Sequence, residues 1–593
     1  MSTKKSNPKK EIVLQGIGVS PGLVVGPAFL MKADDKLPVA RDITPEEISR
    51  EVSRFEAALV TTKEQLHKIQ KRVGKAMGQE SASIFDAHLL VVDDRAFIEE
   101  IIRELNAKKK NIDAILEYVS EKYISALSAF EDEYLRERAA DVRDVTRRIL
   151  KNLAGENIKS LDQLKESCII ITPDLSPSAT AMMDKNKVLG FATDIGSPTS
   201  HTAIMAKALK IPAIVGLHDV SVRVSTRDRV LIDGDKGVFI LHPTQERIDQ
   251  YNKVAQVRSS IQSGLSALRE KPAETKDGYH LPLSANIELP EDVEAVIENG
   301  AKGIGLYRTE LLYLVSEELP TEDEQATAYE EAAERLFPES VIIRTLDLGG
   351  DKFVSHIRKV PELNPFMGWR AVRFCLANLD IFKTQLRAIL RASRHENVQL
   401  MYPLISNVNQ VLQCNALLEE TKDELRKEKI AFNEDIHVGA MIEVPSAALT
   451  ADLIAPHVSF FSLGTNDLAQ YTLAVDRVNE QIADLYEPTH PAIIKLIKRT
   501  IDTAHQHGIW AGICGEMAGD PFLVPLLIGL GADELSVSPT NVPKVKDIIR
   551  NVTYSESEKL ASEVMKCASG KEILERCQAL TRKAAPEILE LID

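Results

Sequence analysis

Residues 438–467 read VGAMIEVPSAALTADLIAPHVSFFSLGTND. Two short apolar runs enclose a stretch of helical texture, the form a parallel strand takes when helices cover the sheet. The first run ends at Glu443 and the second at Asn466 and Asp467. From about residue 271 onward the same alternation recurs, with strand-like runs LSANI, GIGLYR, VIIRTLD, QLMYPLI, WAGICGE and ELSVS completing a set of eight. Eight strands separated by helical stretches predict a (β/α)8 TIM-type barrel, whose chemistry sits at the C-terminal ends of its strands. Arg308, Arg344, Glu443, Asn466, Asp467 and Cys514 fall at those ends, a coincidence weightier than any one of them.

Upstream the texture differs. Residues 12–31 are apolar segments broken by Gly16, Gly18, Pro21, Gly22 and Gly26, a strand and turn pattern. From about Thr44 to Ala154 glycine and proline nearly vanish, and charged residues alternate with apolar ones at helical spacing. Thr44-Pro45-Glu46-Glu47 reads as a helix start, with a capping hydroxyl, proline at the first helical position and glutamate at the third. Strand-like runs return over residues 167–241, together with a helix over 202–210. The expected organisation is a multidomain α/β chain. A disordered tail occupies 1–11, an α/β domain takes 12–33 and 155–244, a helical bundle is inserted at 34–154, a linking helix covers 245–270, and the barrel fills 271–593.

Composition bounds the partners. At 593 residues the chain exceeds what one core supports. Its 44% apolar and 27% charged residues contain no run long enough to span a bilayer, and the polar start MSTKKSNPKKEIVL lacks the apolar stretch of a secretory signal. A cytoplasmic chain without a membrane segment is expected. The net charge of −16 and the lack of a basic stripe argue against nucleic acid and leave room for a basic partner. Six cysteines without paired metal-ligand spacing read as free thiols.

A second constellation, Gly196-Ser197-Pro198-Thr199-Ser200-His201, runs directly into the helical TAIMAKALK. A helix start offers unpaired N–H groups and the positive end of its dipole, which stabilise a phosphate borne there. Imidazole is nucleophilic near neutral pH, and Thr180 or Ser200 could fix its tautomer. On local residues alone such a histidine is more often a capping or packing residue.

The segment DLSPSATAMMDKNKVLGFATDIGSPTSHTAIMAKALKIPAIVG resembles the phosphohistidine region of the phosphoenolpyruvate-utilising enzymes. In the barrel half, GLYRTELLYL, RTLDLGGDK, NPFMGWRAVR, GAMIEVPSA, SLGTNDLAQYTLAVDR, EPTHPAI and GICGEMAGD resemble that family's phosphoenolpyruvate-binding domain, in the same order. ERAADVRD and the order of the parts are similar to the enzyme I group of the bacterial sugar phosphotransferase system, and the likeness covers nearly everything after the first ten residues. It departs at Ser197-Pro198, where many members carry Gly-Arg, which puts a loop role for that arginine in doubt.

The resemblance implies a swivelling phosphohistidine domain with His201 as carrier and a barrel that binds phosphoenolpyruvate. Arg308, Arg344 and Arg477 match the substrate-binding positions, and Arg370 is a fourth candidate. Guanidinium forks suit a trianion because they pair bidentately and stay charged. Asn466 could donate to the carboxylate or the phosphate, and Asp467 joins it in the substrate set. Glu443 and Asp467 would hold Mg²⁺, which prefers a few hard oxygens plus water and substrate oxygens. Cys514 would protonate enolpyruvate at carbon, for which a thiol pKa not far above neutrality is expected.

The resemblance further implies release of pyruvate, the histidine-containing phosphocarrier protein HPr as acceptor, and a homodimer formed through the barrel. Ser83, Ile84, Phe85, His88 and Leu89 are the apolar face expected to meet HPr. A pyruvate phosphate dikinase or phosphoenolpyruvate synthase would need a large nucleotide-binding domain before residue 167, and the nitrogen-type paralogue usually carries an N-terminal sensory domain. Neither is expected here.

Overall fold

The computed structural model describes residues 10–31, 38–77, 79–128, 133–155, 166–175, 179–180, 183, 187–197, 201–209, 211–314, 318–349, 364–479 and 481–589. The chain divides into two compact units, residues 1–256 and 257–593.

In the first unit, strands β1 (Ile12–Gln15), β2 (Ile17–Ser20) and β3 (Leu23–Leu30) join β4 (Cys168–Thr172), β5 (Val188–Thr193), β6 (Ala213–Val215), β7 (Arg229–Asp233) and β8 (Val238–Leu241) in one sheet of order β1-β8-β7-β3-β4-β5-β6-β2. Strand β3 pairs parallel with β4 and antiparallel with β7, so the N-terminal segment is woven into the sheet that follows more than a hundred residues later. Apolar side chains cover both faces, with Ile170, Phe191 and Ala213 on one and Ile169, Ile171 and Ile232 on the other.

Between β3 and β4 run the helices α1 (Ile48–Met77), α2 (Gln79–Asp93), α3 (Arg95–Lys108), α4 (Ile112–Ser128) and α5 (Glu133–Leu153). Phe97, Ile101 and Leu105 recur every fourth residue of α3 and all point into the helical core. Asp94 caps that helix by accepting from Ala96 N and Phe97 N at 2.9 and 3.2 Å, a contribution of about 1 kcal/mol. The box read at Thr44 forms as a turn ahead of α1, with Thr44 N donating to Glu47 Oε2 at 2.8 Å.

One expectation fails here. Phe85 and His88 are fully buried and Leu89 packs on the same core, so these three cannot form an exposed docking face. The physical reason is that this side of α2 packs on its neighbouring helices, where His88 Nε2 lies 3.3 Å from an Asp144 carboxylate oxygen of α5. The side chains of Ser83 and Ile84 lie outside the described residues.

The second unit is a closed barrel of eight parallel strands, β9 (Leu283–Ile287), β10 (Ile304–Tyr307), β11 (Val341–Arg344), β12 (Val398–Tyr402), β13 (Val438–Ile442), β14 (Phe460–Leu463), β15 (Trp510–Ile513) and β16 (Glu534–Val537), with β16 pairing back to β9. The eight runs read from the sequence are these eight strands. Outward-facing residues such as Leu283, Ile343, Ala440 and Phe461 pack under the surrounding helices, while Leu306, Ile342, Met401, Met441, Phe460 and Cys514 form a separate cluster. Among the described residues no helix is long and apolar enough to cross a membrane, and all six cysteines are buried free thiols.

Candidate active site

The C-terminal ends of the barrel strands gather most of the charge read from the sequence. Arg344, the last residue of β11, is buried with Glu310 and Asp347, each 3.0 Å from its guanidinium nitrogens. Burial alone would lower its pKa, but the two carboxylates outweigh that and raise it, so the group keeps its charge. Its buried Nε has no hydrogen-bond partner among the described residues, an unused donor at the mouth. Arg370, which precedes the helix Ala371–Ala377, shares Asp347 with it at 2.8 Å and lies 3.5 Å from Asp467.

Glu443 directly follows β13 and is almost fully buried. Its Oε1 accepts from Leu404 N at 2.7 Å. Its Oε2 lies over Gly464, where any Cβ would come within 2.6 Å of it, so glycine is what lets this carboxylate approach the next strand end. Desolvation, then the nearby Asp467 and Asp347, push its pKa well above the carboxylate range, against the pull of Arg344 and Arg370. Asp467 lies in the first turn of the helix Thr465–Leu473 and not at the end of β14 as the sequence reading had it, because Gly464 already leaves the strand.

Two guanidinium groups, Arg344 and Arg370, meet four carboxyl groups, Glu310, Asp347, Glu443 and Asp467, so the buried cluster carries one excess negative charge while Glu443 holds its proton and two once Glu443 ionises. A divalent cation cancels that excess. Among the described residues no group of three metal-ligating side chains exists, so such an ion would take two carboxylates and complete its shell with water and substrate oxygens, as Mg²⁺ prefers.

Around the rim, Arg308 follows β10 and pairs with Glu288 at 2.9 Å. Asn466 and Arg477 both converge on Glu516 Oε1, at 3.0 and 3.3 Å. Cys514 is the first residue after β15, and its Sγ lies 3.7 Å from Leu463 O. Burial pushes its thiol up to about 11, opposed by the Ser462 hydroxyl, Arg344 and Arg308. That is higher than the expected value not far above neutrality, and the dry site keeps the resting thiol protonated. Gly515 admits the close approach of Thr465, whose Oγ1 any Cβ at that position would strike.

His201, Ser200 and Thr180 belong to the first unit. His201 opens the helix His201–Leu209, as the sequence suggested, but its side chain and Ser200 lie outside the described residues. Thr180 is buried. His490 caps the helix Pro491–Gln506 by accepting from Ala492 N.

Several participants escaped sequence reasoning. Glu310 and Asp347 stand two and three residues after Arg308 and Arg344, and an acid so soon after a strand-end arginine was the available signal. Gln385, on the helix Leu379–Ala392, is fully buried; its Oε1 accepts from Leu346 N at 2.9 Å and its Nε2 donates to Thr309 Oγ1 at 3.1 Å and Tyr329 Oη at 3.3 Å. Thr309 Oγ1 in turn donates to Arg344 O at 3.0 Å, so this one amide fastens the ends of β10 and β11 together. No local pattern marks such a glutamine.

Buried arginines, an unused guanidinium donor and a pair of carboxylates at the mouth of a parallel barrel define an enzyme site for a small polyanion. Residues 15–138, 164–237 and 262–554 match the families described as PEP-utilising enzyme, N-terminal; PEP-utilising enzyme, mobile domain; and PEP-utilising enzyme, PEP-binding domain. The chain is 42% identical over 568 residues to the phosphoenolpyruvate-protein phosphotransferase of Listeria monocytogenes, covering 96% of this chain and 99% of that one. It is 41% identical over 561 residues to the protein of the same name from Bacillus subtilis, covering 95% and 98%. A solved structure of Enzyme I is 38% identical and spans 42% of this chain and 99% of its own, with a TM-score of 0.36. The chain belongs to the PEP-utilising enzymes, in the group of the phosphoenolpyruvate-protein phosphotransferases.

Proposed function

We propose that this chain moves the phosphoryl group of phosphoenolpyruvate to Nε2 of its own His201 and from there to HPr, releasing pyruvate, as the first step of a sugar phosphotransferase system. The observation that carries the reading is the buried cluster of Arg344, Arg370, Glu443 and Asp467 beside Cys514, in a chain similar over nearly its whole length to phosphotransferases of that name.

Arg344, Arg308, Arg477 and Arg370, with Asn466, bind the substrate's carboxylate and phosphate; Arg308, Arg477 and Asn466 must exchange their present glutamate partners to do so. Glu443 and Asp467 would hold Mg²⁺, which would supply positive charge to neutralise the transferring phosphoryl group. The imidazole of His201 attacks phosphorus in line, the N–P bond forms and the bond to the bridging oxygen breaks, leaving enolpyruvate as its enolate. Positioning and charge neutralisation do most of the work in such a transfer. Cys514 then protonates the methylene carbon: the S–H bond breaks, its electron pair stays on sulfur, and the enolate charge collapses into the keto group of pyruvate. A thiol held protonated by burial is suited to that task.

Thr180 or Ser200 orients the His201 ring. Carrier and substrate residues lie on different units, so the reading requires the two to meet during turnover. HPr docks on the inserted helices, the barrel mediates a homodimer, and the cytoplasm is the compartment.

The test is to follow radiolabel from phosphoenolpyruvate, without nucleotide, into the protein and on to HPr. His201→Ala should abolish the acid-labile, base-stable phosphoenzyme while calorimetry shows phosphoenolpyruvate still bound with Mg²⁺. Label persisting in the variant, or a requirement for nucleotide, refutes the reading.

A further inference from the structure

The thiol of Cys514 stands at a point where the barrel's own hydrogen bonding gives out. Strand β15 pairs with β16 through Gly512 and Ile513 only, and Cys514 is the first residue past that ladder. On the β14 side its backbone is still held, with Cys514 N donating to Leu463 O at 3.2 Å. On the other side, among the described residues, no strand partner remains for its carbonyl. A side chain takes that place: Asn286, on β9 two positions along from Ser284, sends its Nδ2 to Cys514 O at 3.1 Å and to Ser536 O at 3.3 Å. The amide cannot turn over freely, because its Oδ1 accepts from Ser536 Oγ at 2.6 Å. Ser536 pairs with Ser284 across the β9–β16 seam, so the serine that orients the amide stands on a rigid strand next to the one that carries Asn286.

We infer that Asn286, oriented by Ser536, is a positioning residue for the protonation of carbon: it substitutes for a missing ladder bond and fixes the direction in which Cys514 presents its thiol. The inference rests on the reading of Cys514 as the proton donor. Asn286 itself need not touch the substrate. Its two donations fall on backbone oxygens, and its only acceptor atom is engaged by the serine. The chemistry makes the direction matter. Proton transfer to carbon depends on a short, aligned path, and a displacement of about 1 Å at a reacting group costs up to about 10²-fold in rate. Besides its packing in the interior cluster, the thiol has only side-chain polar contacts of its own, to the Ser462 hydroxyl and, at a long 3.7 Å, to Leu463 O, whereas Asn286 fixes the backbone that carries it.

Asn286→Ala frees the Cys514 carbonyl, and Ser536→Ala leaves Asn286 in place with its amide unoriented. Pyruvate release, affinity for phosphoenolpyruvate with Mg²⁺, the solvent deuterium isotope effect on kcat and the melting temperature would be measured for both, with Cys514→Ala and the Asn286→Ala/Cys514→Ala double variant alongside. The expected result is a fall in kcat of roughly 10- to 100-fold for Asn286→Ala, less for Ser536→Ala, with affinity within about twofold and a larger isotope effect because protonation becomes limiting. The double variant should be no slower than Cys514→Ala, since a residue that acts through the thiol has nothing left to act on.

The outcomes separate the two ideas. Normal turnover in Cys514→Ala removes the thiol from the mechanism, and the role of Asn286 with it. A slow Cys514→Ala beside Asn286→Ala and Ser536→Ala of normal turnover leaves the thiol in place and overturns the positioning role. So does a loss expressed in affinity rather than kcat, or a double variant slower than Cys514→Ala. Should Asn286→Ala fail to fold, Ser536→Ala decides by the same criteria.

Discussion

Replacing Glu443 by glutamine separates the charge argument from the shape of the site. The amide keeps an oxygen where Oε1 now accepts from Leu404 N, and it fits over Gly464 as the carboxylate does. What changes is charge above the raised pKa of Glu443: there three carboxylates instead of four face the guanidinium groups of Arg344 and Arg370, and half of the excess negative charge is gone. Removing the partner of a buried charge typically costs 3–5 kcal/mol, and relieving a shared, partly compensated excess is expected to return about 1–3 kcal/mol. In EDTA at a pH above the raised pKa of Glu443, the barrel of the Glu443→Gln variant should therefore melt a few degrees higher than the unaltered one, at roughly 2 °C per kcal/mol for a domain larger than 250 residues. Mg²⁺ at about a hundred times its dissociation constant should stabilise the unaltered protein by about 2.7 kcal/mol, and the variant by little or nothing. The pH dependence has a definite sign. The folded-state pKa of Glu443 is raised, so the folded barrel keeps a proton that the unfolded chain has lost; its contribution is present at acid pH and disappears as pH rises through the raised pKa. In EDTA the unaltered protein should lose stability as pH rises above the ordinary carboxylate range, and the glutamine variant should lose less. Differential scanning calorimetry across pH, with EDTA and with Mg²⁺, measures all of this. A variant that melts below the unaltered protein in EDTA, or one that answers to Mg²⁺ as strongly, would show that the mouth carries no such excess.

Two further outcomes follow from the same geometry. At pH 8 iodoacetamide should alkylate Cys514 on the order of a hundredfold more slowly than an ordinary cysteine, because burial holds the thiol near 11 and starves it of thiolate; peptide mapping of the time course tests it, and rapid labelling at pH 8 contradicts the buried, protonated thiol. Gln385→Leu strands Leu346 N, an orphan costing about 1–3 kcal/mol, and removes the donor that reaches the Thr309 and Tyr329 hydroxyls, which keep their own bonds to Arg344 O and Gln325, so denaturant unfolding should register a loss of that order, and calorimetric affinity for phosphoenolpyruvate should fall because the end of β11 carrying Arg344 is less firmly fastened to β10.

The barrel was legible because its strands are buried on both faces. Each of the eight therefore shows as a short apolar run, and the run's end marks the rim of the site. The same logic made Glu443, Arg344 and Cys514 findable, since they stand at the last strand position or one residue beyond it. It misled at Asp467, because a glycine ends β14 before the acid and hands it to a helix. It misled again at Phe85, His88 and Leu89, because an apolar stripe on a helix says that the face is covered without saying what covers it, and here the cover is the chain's own core. The partners of the reactive groups left a fainter trace. Glu310 and Asp347 could have been suspected from their spacing, but Gln385 and Asn286 carry no charge and follow no period. Their meaning comes from the far ends of their hydrogen bonds, on residues 39 and 228 positions away. Sequence periodicity reports how an element meets the core as a class of residue, whereas an amide that ties one loop to another reports a single pair of positions, which only the closed barrel brings together. The buried polar residues with no local reason to be polar are accordingly where function should be sought next, because burying an amide is costly unless specific partners receive it.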